Sequence, residues 1–121
     1  MSDSRGLQLL RGARDLVATS WCRDADARDS RGVEVDPWEG AAASWSLLGA
    51  LVAVMERQAD ADGEMPLEDV AAALYALAEL IDTDSLVVWN DDPARTQADV
   101  LWTLDRAAHS YEEPGGRIRV S

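Results

Sequence analysis

The chain contains no lysine and no phenylalanine, and it has a single cysteine and a single histidine. Each scarcity excludes something. One cysteine, Cys22, rules out an intrachain disulfide and a paired C-x-x-C metal site, so a reducing compartment is the expectation. One histidine, His109, rules out an H-E-x-x-H zinc site. With no phenylalanine, the large rings are five tryptophans and two tyrosines, all of which carry a polar group that needs a partner when buried. All eleven basic residues are therefore arginines, against 23 acidic ones, and the net charge is −12. A charge of that sign repels polyanions, so direct contact with nucleic acid or with an anionic membrane surface is not expected. No long apolar run is present either. The longest, from about Ala41 to Met55, is interrupted by two serines and falls short of a membrane span. Met1-Ser2-Asp3-Ser4-Arg5 is not a basic segment followed by an apolar one, so no secretory signal is expected and the location is read as cytoplasmic.

What is present suits a globular chain. At 121 residues and 47% hydrophobic content, one ordinary core is affordable without staples, and the reading is a single domain over 1–121. Periodicity predicts a mainly α fold of about four helices around a central apolar one. The first helix is expected over Ser4 to Ala18, with Leu7, Leu10, Ala13 and Val17 on one face and Leu9 and Leu16 beside them. Arg14 lies at the stripe's edge, where it snorkels or meets a carboxylate of another element. Residues 22–39 break the pattern and read as a loop-rich segment. The second helix, from Trp38 or Gly40 to Gln58, is apolar nearly all round through Trp45, Leu48, Val52 and Met55 and is the expected centre. Pro66 opens a third, with Leu67, Val70, Leu74, Leu77 and Ile81 as its inner stripe. The last helix starts after Thr96, where T-x-x-D with Asp99 forms a capping box, and runs to about His109. Short β-strand candidates lie at 33–35, 85–89 and 117–120, the last within a tail over 112–121.

Two groups of residues carry candidate function. Trp89-Asn90-Asp91-Asp92-Pro93-Ala94-Arg95-Thr96-Gln97 concentrates amide, carboxylate, guanidinium and hydroxyl groups at the start of a helix. Asn90, Asp91, Arg95, Thr96 and Gln97 are accordingly the candidates for holding a ligand or an anion. The same residue types also make ordinary turns and caps. Trp102, Trp38 and Arg106 are the interface candidates, because Trp102 projects from the side of its helix opposite the apolar face and tryptophan and arginine are enriched at interface hot spots. Gln58 to Asp69 overlays a twelve-residue calcium-loop template. Gln58 and Asp69 replace its strongest ligands, however, and Pro66 interrupts it. Asp82, Asp84, Asp91 and Asp92 have no spacing that demands a cation. No P-loop, G-x-G-x-x-G or nucleophile–base pair is present, so no catalytic residue, metal ligand or cofactor is assigned.

Three blocks in order resemble an uncharacterised family of small proteins found in actinobacteria and their phages. They are Ala43-Ser44-Trp45-Ser46-Leu47-Leu48-Gly49-Ala50, Trp89-Asn90-Asp91 and Arg95-Thr96-Gln97-Ala98-Asp99-Val100. Ser46 stands where the family pattern W-C-L-L-G-A has cysteine, and Ala94 where a turn glycine is usual. The resemblance implies a helix-rich core and directs attention to the Trp89–Gln97 junction, with no activity or cofactor attached. The expectation is a non-enzymatic binding or accessory protein acting through contact with a protein partner or a second copy. The alternative is a small enzyme or ligand-binding domain using that junction, with a divalent cation in one version.

Overall fold

The structure, a computed structural model, describes residues 5–64, 66–81, 83 and 85–112. In chain order these form α1 (Arg5–Thr19), β1 (Ala27–Arg28), β2 (Ser44–Trp45), α2 (Leu47–Asp62), α3 (Leu67–Ala78), α4 (Leu86–Asp91) and α5 (Gln97–Glu112). The mainly helical class is as read from the periodicity. The last β-strand candidate, 117–120, lies outside the described residues.

The first helix buries the face its spacing predicts: Leu7, Leu9, Leu10, Ala13 and Val17 all lie in the core. It packs against α2, α3 and α5, which makes α1 the helix at the middle of the bundle. α2 is the most apolar stretch by sequence, and Leu47, Ala50, Leu51, Ala53 and Val54 are buried, but it lies against α1, α4 and β2. From α5, Val100, Leu104, Ala107 and Ala108 close the core. Arg14 does reach a carboxylate on another element, with its Nε donating to Asp105 at 3.0 Å.

Three expectations need correction. α2 begins at Leu47, so Trp38 to Ser46 is not helical. Ser46 is the N-cap, its Oγ accepting from Gly49 N at 3.0 Å. Ser44 and Trp45 pair antiparallel with Arg28 and Ala27, and the Trp45 indole donates to the Pro37 carbonyl at 3.1 Å. A cap and a strand pairing thus override the helix propensity of the alanines. At its other end α2 runs through Asp62 before Gly63, at φ 84°, ends it. The first positions of the calcium-loop template are therefore helical.

The second correction is residues 85–89, which form the start of α4 rather than a strand. Ser85 caps it through Val88 N at 3.2 Å, and Val87 and Val88 point outward. The third is α3, whose inner face is Ala73, Ala76 and Leu77, while Leu67 is 81% and Leu74 37% exposed. The strand candidate at 33–35 contributes a single bridge, Glu34 to Arg28, with Val35 N donating to Ala27 O at 3.0 Å.

Gly49 shows how closely the loop lies on α2. A Cβ there would sit 1.8 Å from the Asp26 carbonyl oxygen, so only glycine lets the first turn of α2 slide under the loop.

Candidate functional site

The segment between α1 and β2 has little secondary structure of its own, and α4 ties it down. Asn90 is 1% exposed and sits among four polar groups. Its Oδ1 accepts from the Trp21 indole at 2.8 Å and from Leu47 N, at the head of α2, at 3.0 Å. Its Nδ2 donates to the Cys22 carbonyl at 3.2 Å and to Asp91 Oδ1 at 3.0 Å. The same Asp91 oxygen accepts from Asp24 N at 2.8 Å, where Asp24 takes φ 65°, a left-handed conformation that aspartate tolerates better than most residues. One amide therefore joins the loop, α2 and α4, which buried polar groups require of their partners.

Arg23 completes the tie from the loop side. Its guanidinium donates to the Pro93 carbonyl at 3.2 Å and to the Arg95 carbonyl, and lies 4.9 Å from the Trp21 ring centroid. Arg23 and Asp24 are not singled out by the sequence. The charge-alternating stretch they belong to looks like any solvated loop, and only tertiary structure distinguishes these two.

The expected capping box is present. Asp99 N donates to Thr96 Oγ1 at 3.2 Å, and Thr96 N donates to Asp99 Oδ2 at 3.0 Å. Gln97 Nε2 donates to the Val17 carbonyl at the end of α1 at 2.7 Å. Arg95 stacks on the Trp89 ring at 3.9 Å and its Nε donates to Trp89 O at 2.8 Å, while Asp92 is 4.0 Å from its outer nitrogen. Of the five ligand candidates, Asn90, Asp91, Thr96 and Gln97 thus direct polar atoms at the protein itself. Arg95 also presents its outer edge to the surface.

That edge opens on a hollow of about 350 Å³ lined by Leu80, Trp89, Arg95, Asp99, Trp102 and Thr103. Trp102 is 61% exposed, as its place off the buried face of α5 predicts. A second hollow of about 440 Å³ lies along α5, lined by Ala76, Glu79, Leu80, Arg106, His109 and Ser110. The structure therefore brings Arg95 and Trp102 to one hollow, with Arg106 in the next. Trp38, 55% exposed, is in the segment before β2 and lines neither. Leu80 is outside the sequence candidates, while Trp89 opens the junction to which the sequence points.

Cys22 is buried, its thiol facing the Ala25 carbonyl at 3.7 Å, and burial pushes the thiol up from its ordinary value despite a hydrogen bond with Ser44 and the nearby Arg28. A nucleophile needs the opposite shift. His109 belongs to the hollow beside Arg106, not to the surroundings of Cys22. Among the described residues no group of three or more His, Cys, Asp or Glu side chains is placed to hold a metal ion. Asp82 and Asp84 lie outside the described residues.

Residues 1–110 match the model of a family of unknown function, DUF6197. The chain belongs to that family. No curated protein and no solved structure matches it. Among the described residues of this DUF6197 member, no helix is long and apolar enough to cross a membrane.

Proposed function

We propose that this DUF6197 protein is a non-enzymatic accessory protein, cytoplasmic and of phage or mobile-element descent. It acts by protein–protein contact through the hollow around Trp102. The descent rests on the resemblance of its three sequence blocks to proteins of actinobacteria and their phages. The observation that carries the contact reading is the exposure of Trp102 at the mouth of a hollow walled by a second tryptophan and a stacked arginine. Tryptophan and arginine are the residues most over-represented where interfaces concentrate their energy. The Trp89–Gln97 junction, which looks like a ligand site by composition, spends most of its polar groups on joining α1, α2, α4 and the loop. A rigid support for an exposed aromatic is what a contact surface needs.

The test is light scattering on the purified chain, together with capture from lysate of the source cells, comparing wild type with Trp102→Ala. Self-association or a captured partner that is lost in Trp102→Ala, with an unchanged far-ultraviolet circular dichroism spectrum, is the expected result. A wild-type monomer that captures nothing Trp102-dependent overturns the proposal.

A second reading is favoured by the size of the hollow, which falls within the roughly 300–1,000 Å³ of small-molecule sites. In that reading Arg95 holds an anionic ligand against Trp102. A thermal-shift screen decides it, since a ligand of the native state raises the melting temperature by mass action. No response to any metabolite or divalent ion eliminates it.

A further inference from the structure

The charges around the surface hollows are unevenly divided. Asp24, Asp26, Glu34 and Asp91 line one hollow and Glu56 and Glu64 another, with no cationic side chain in either lining. The two hollows along α5 hold Arg95 and Arg106, on a chain whose acidic residues outnumber its arginines 23 to 11. These two hollows meet at Leu80, which lines both. Trp102 and Arg106 stand one turn apart on α5, about 6 Å along the axis. An apolar seat made of Leu80 and Trp102 is therefore flanked by a guanidinium on either side.

The carboxylates facing this track are Asp99 and Glu79. Asp99 has one oxygen turned back on Thr96 N in the capping box, and Glu79, the C-cap of α3, lines the same hollow as Arg106. Arg95 meets Asp92 only at the 4.0 Å limit of an ion pair, and its Nε is already given to the Trp89 carbonyl. Its outer nitrogens keep the planar fork that suits a carboxylate.

Resting on the contact surface proposed above, we infer the chemistry of its partner. The track between α3 and α5 receives a protein segment that seats a bulky apolar side chain on Trp102 and Leu80 and sets carboxylates against Arg95 and Arg106. The whole-molecule charge opposes an acidic partner at long range, but at about 0.15 M salt charges beyond about 8 Å are largely screened. Contact is then decided by the local groups. A basic segment is drawn instead to the hollows whose charged lining is all carboxylate.

Fluorescence anisotropy tests this on the full chain at about 0.15 M salt, using three end-labelled synthetic peptides. One has a central Leu-Leu pair flanked by glutamates, the second replaces the glutamates by lysines, and the third replaces the leucines by glycines. The glutamate–leucine peptide is expected to bind, with the glycine version weaker by about tenfold or more. Trp102→Ala should weaken binding by about tenfold or more. Arg106→Gln should weaken it several-fold, and Arg106→Glu should shift preference toward the lysine peptide, a reversal that a merely structural Arg106 would not produce. If the lysine peptide binds wild type in a Trp102-dependent way, the surface stands and the inferred charge is overturned. If no peptide shows Trp102-dependent binding, the partner inference falls, while the self-association and capture measurements still judge the contact surface separately.

Discussion

Asn90 is where the fold can be tested most severely. Replacing it by alanine removes two acceptor contacts and two donor contacts at once, and strands the Leu47 N–H, the Cys22 carbonyl and the Trp21 indole. Each stranded buried group costs about 1–3 kcal/mol, and the indole, being only half-buried, falls at the lower end. The sum is about 4 kcal/mol, a large part of the roughly 5–15 kcal/mol by which domains are stable. With a urea slope near 2 kcal/mol per molar, the midpoint of Asn90→Ala should fall by about 2 M. Urea unfolding followed by tryptophan emission and circular dichroism measures it. Asn90→Asp gives a sharper version. It keeps the oxygen that accepts from Trp21 and Leu47 but turns a second acceptor toward the Cys22 carbonyl and the Asp91 carboxylate. Burial and a neighbouring negative charge both raise the new carboxyl above its unfolded value of about 3.9. A group whose folded pKa is raised is tolerated best below its unfolded pKa, and the variant loses stability as pH rises through the folded value. Asn90→Asp should therefore be strongly destabilised at neutral pH and recover relative to wild type on acidification. A loss below about 1 kcal/mol in Asn90→Ala, or a pH-independent Asn90→Asp, would refute the reasoning that Asn90 holds the loop.

Four further outcomes follow from the same geometry. Gly49→Ala should cost about 3 kcal/mol or more, because its Cβ meets the Asp26 backbone, whereas Gly40→Ala, with nothing within 4 Å, should leave thermal melting almost unmoved. Thr96→Ala should lose about 1 kcal/mol in urea unfolding by opening the capping box. Arg14→Ala should change stability by no more than about 0.5 kcal/mol, since both partners of its ion pair with Asp105 are well exposed. Cys22 should react slowly with a thiol-specific reagent in the native protein and quickly in urea, because burial both shields the thiol and pushes its pKa up.

Much of the helical frame was legible because its signals are local. The α1 stripe, the T-x-x-D start of α5 and the outward Trp102 depend only on spacing along one helix. Where the reading failed, tertiary structure had outvoted a local preference. The valines at 87 and 88 favour a strand, yet α4 is a helix because Ser85 caps it and because a helix places Trp89 and Asn90 inward together. Alanines 41 to 43 favour a helix, yet Ala43 N donates to Arg28 O at 2.8 Å and the next two residues pair with β1. On α3 the stripe is legible at Leu77 and Ile81, both buried, and misplaced at Leu67 and Leu74, because leucine outweighs alanine in such a reading. The structure buries Ala73 and Ala76, where a small side chain lets α1 and α5 come close.

The junction shows a different limit. Its residue types were legible, but the direction in which each polar atom points was not, since Asn90 and Gln97 reach partners 43 to 80 residues away in sequence. A cluster rich in amide, carboxylate and guanidinium groups is the expected composition of a ligand site. It is equally the expected composition of a device that ties a long loop to three helices with only the short β1–β2 pairing and no disulfide to help. The two readings differ in where the atoms are spent, and here Asn90, Asp91, Thr96 and Gln97 are spent inward. Arg95 alone does both, since its Nε fixes the Trp89 carbonyl and its guanidinium stacks on the buried Trp89 ring, while its outer edge lines the hollow beside Trp102. The rigidity that the buried amide network confers on α4 is thereby passed directly to the wall of the hollow. Weakening the network through Asn90 should loosen the Trp102 surface even though Asn90 lies outside its lining.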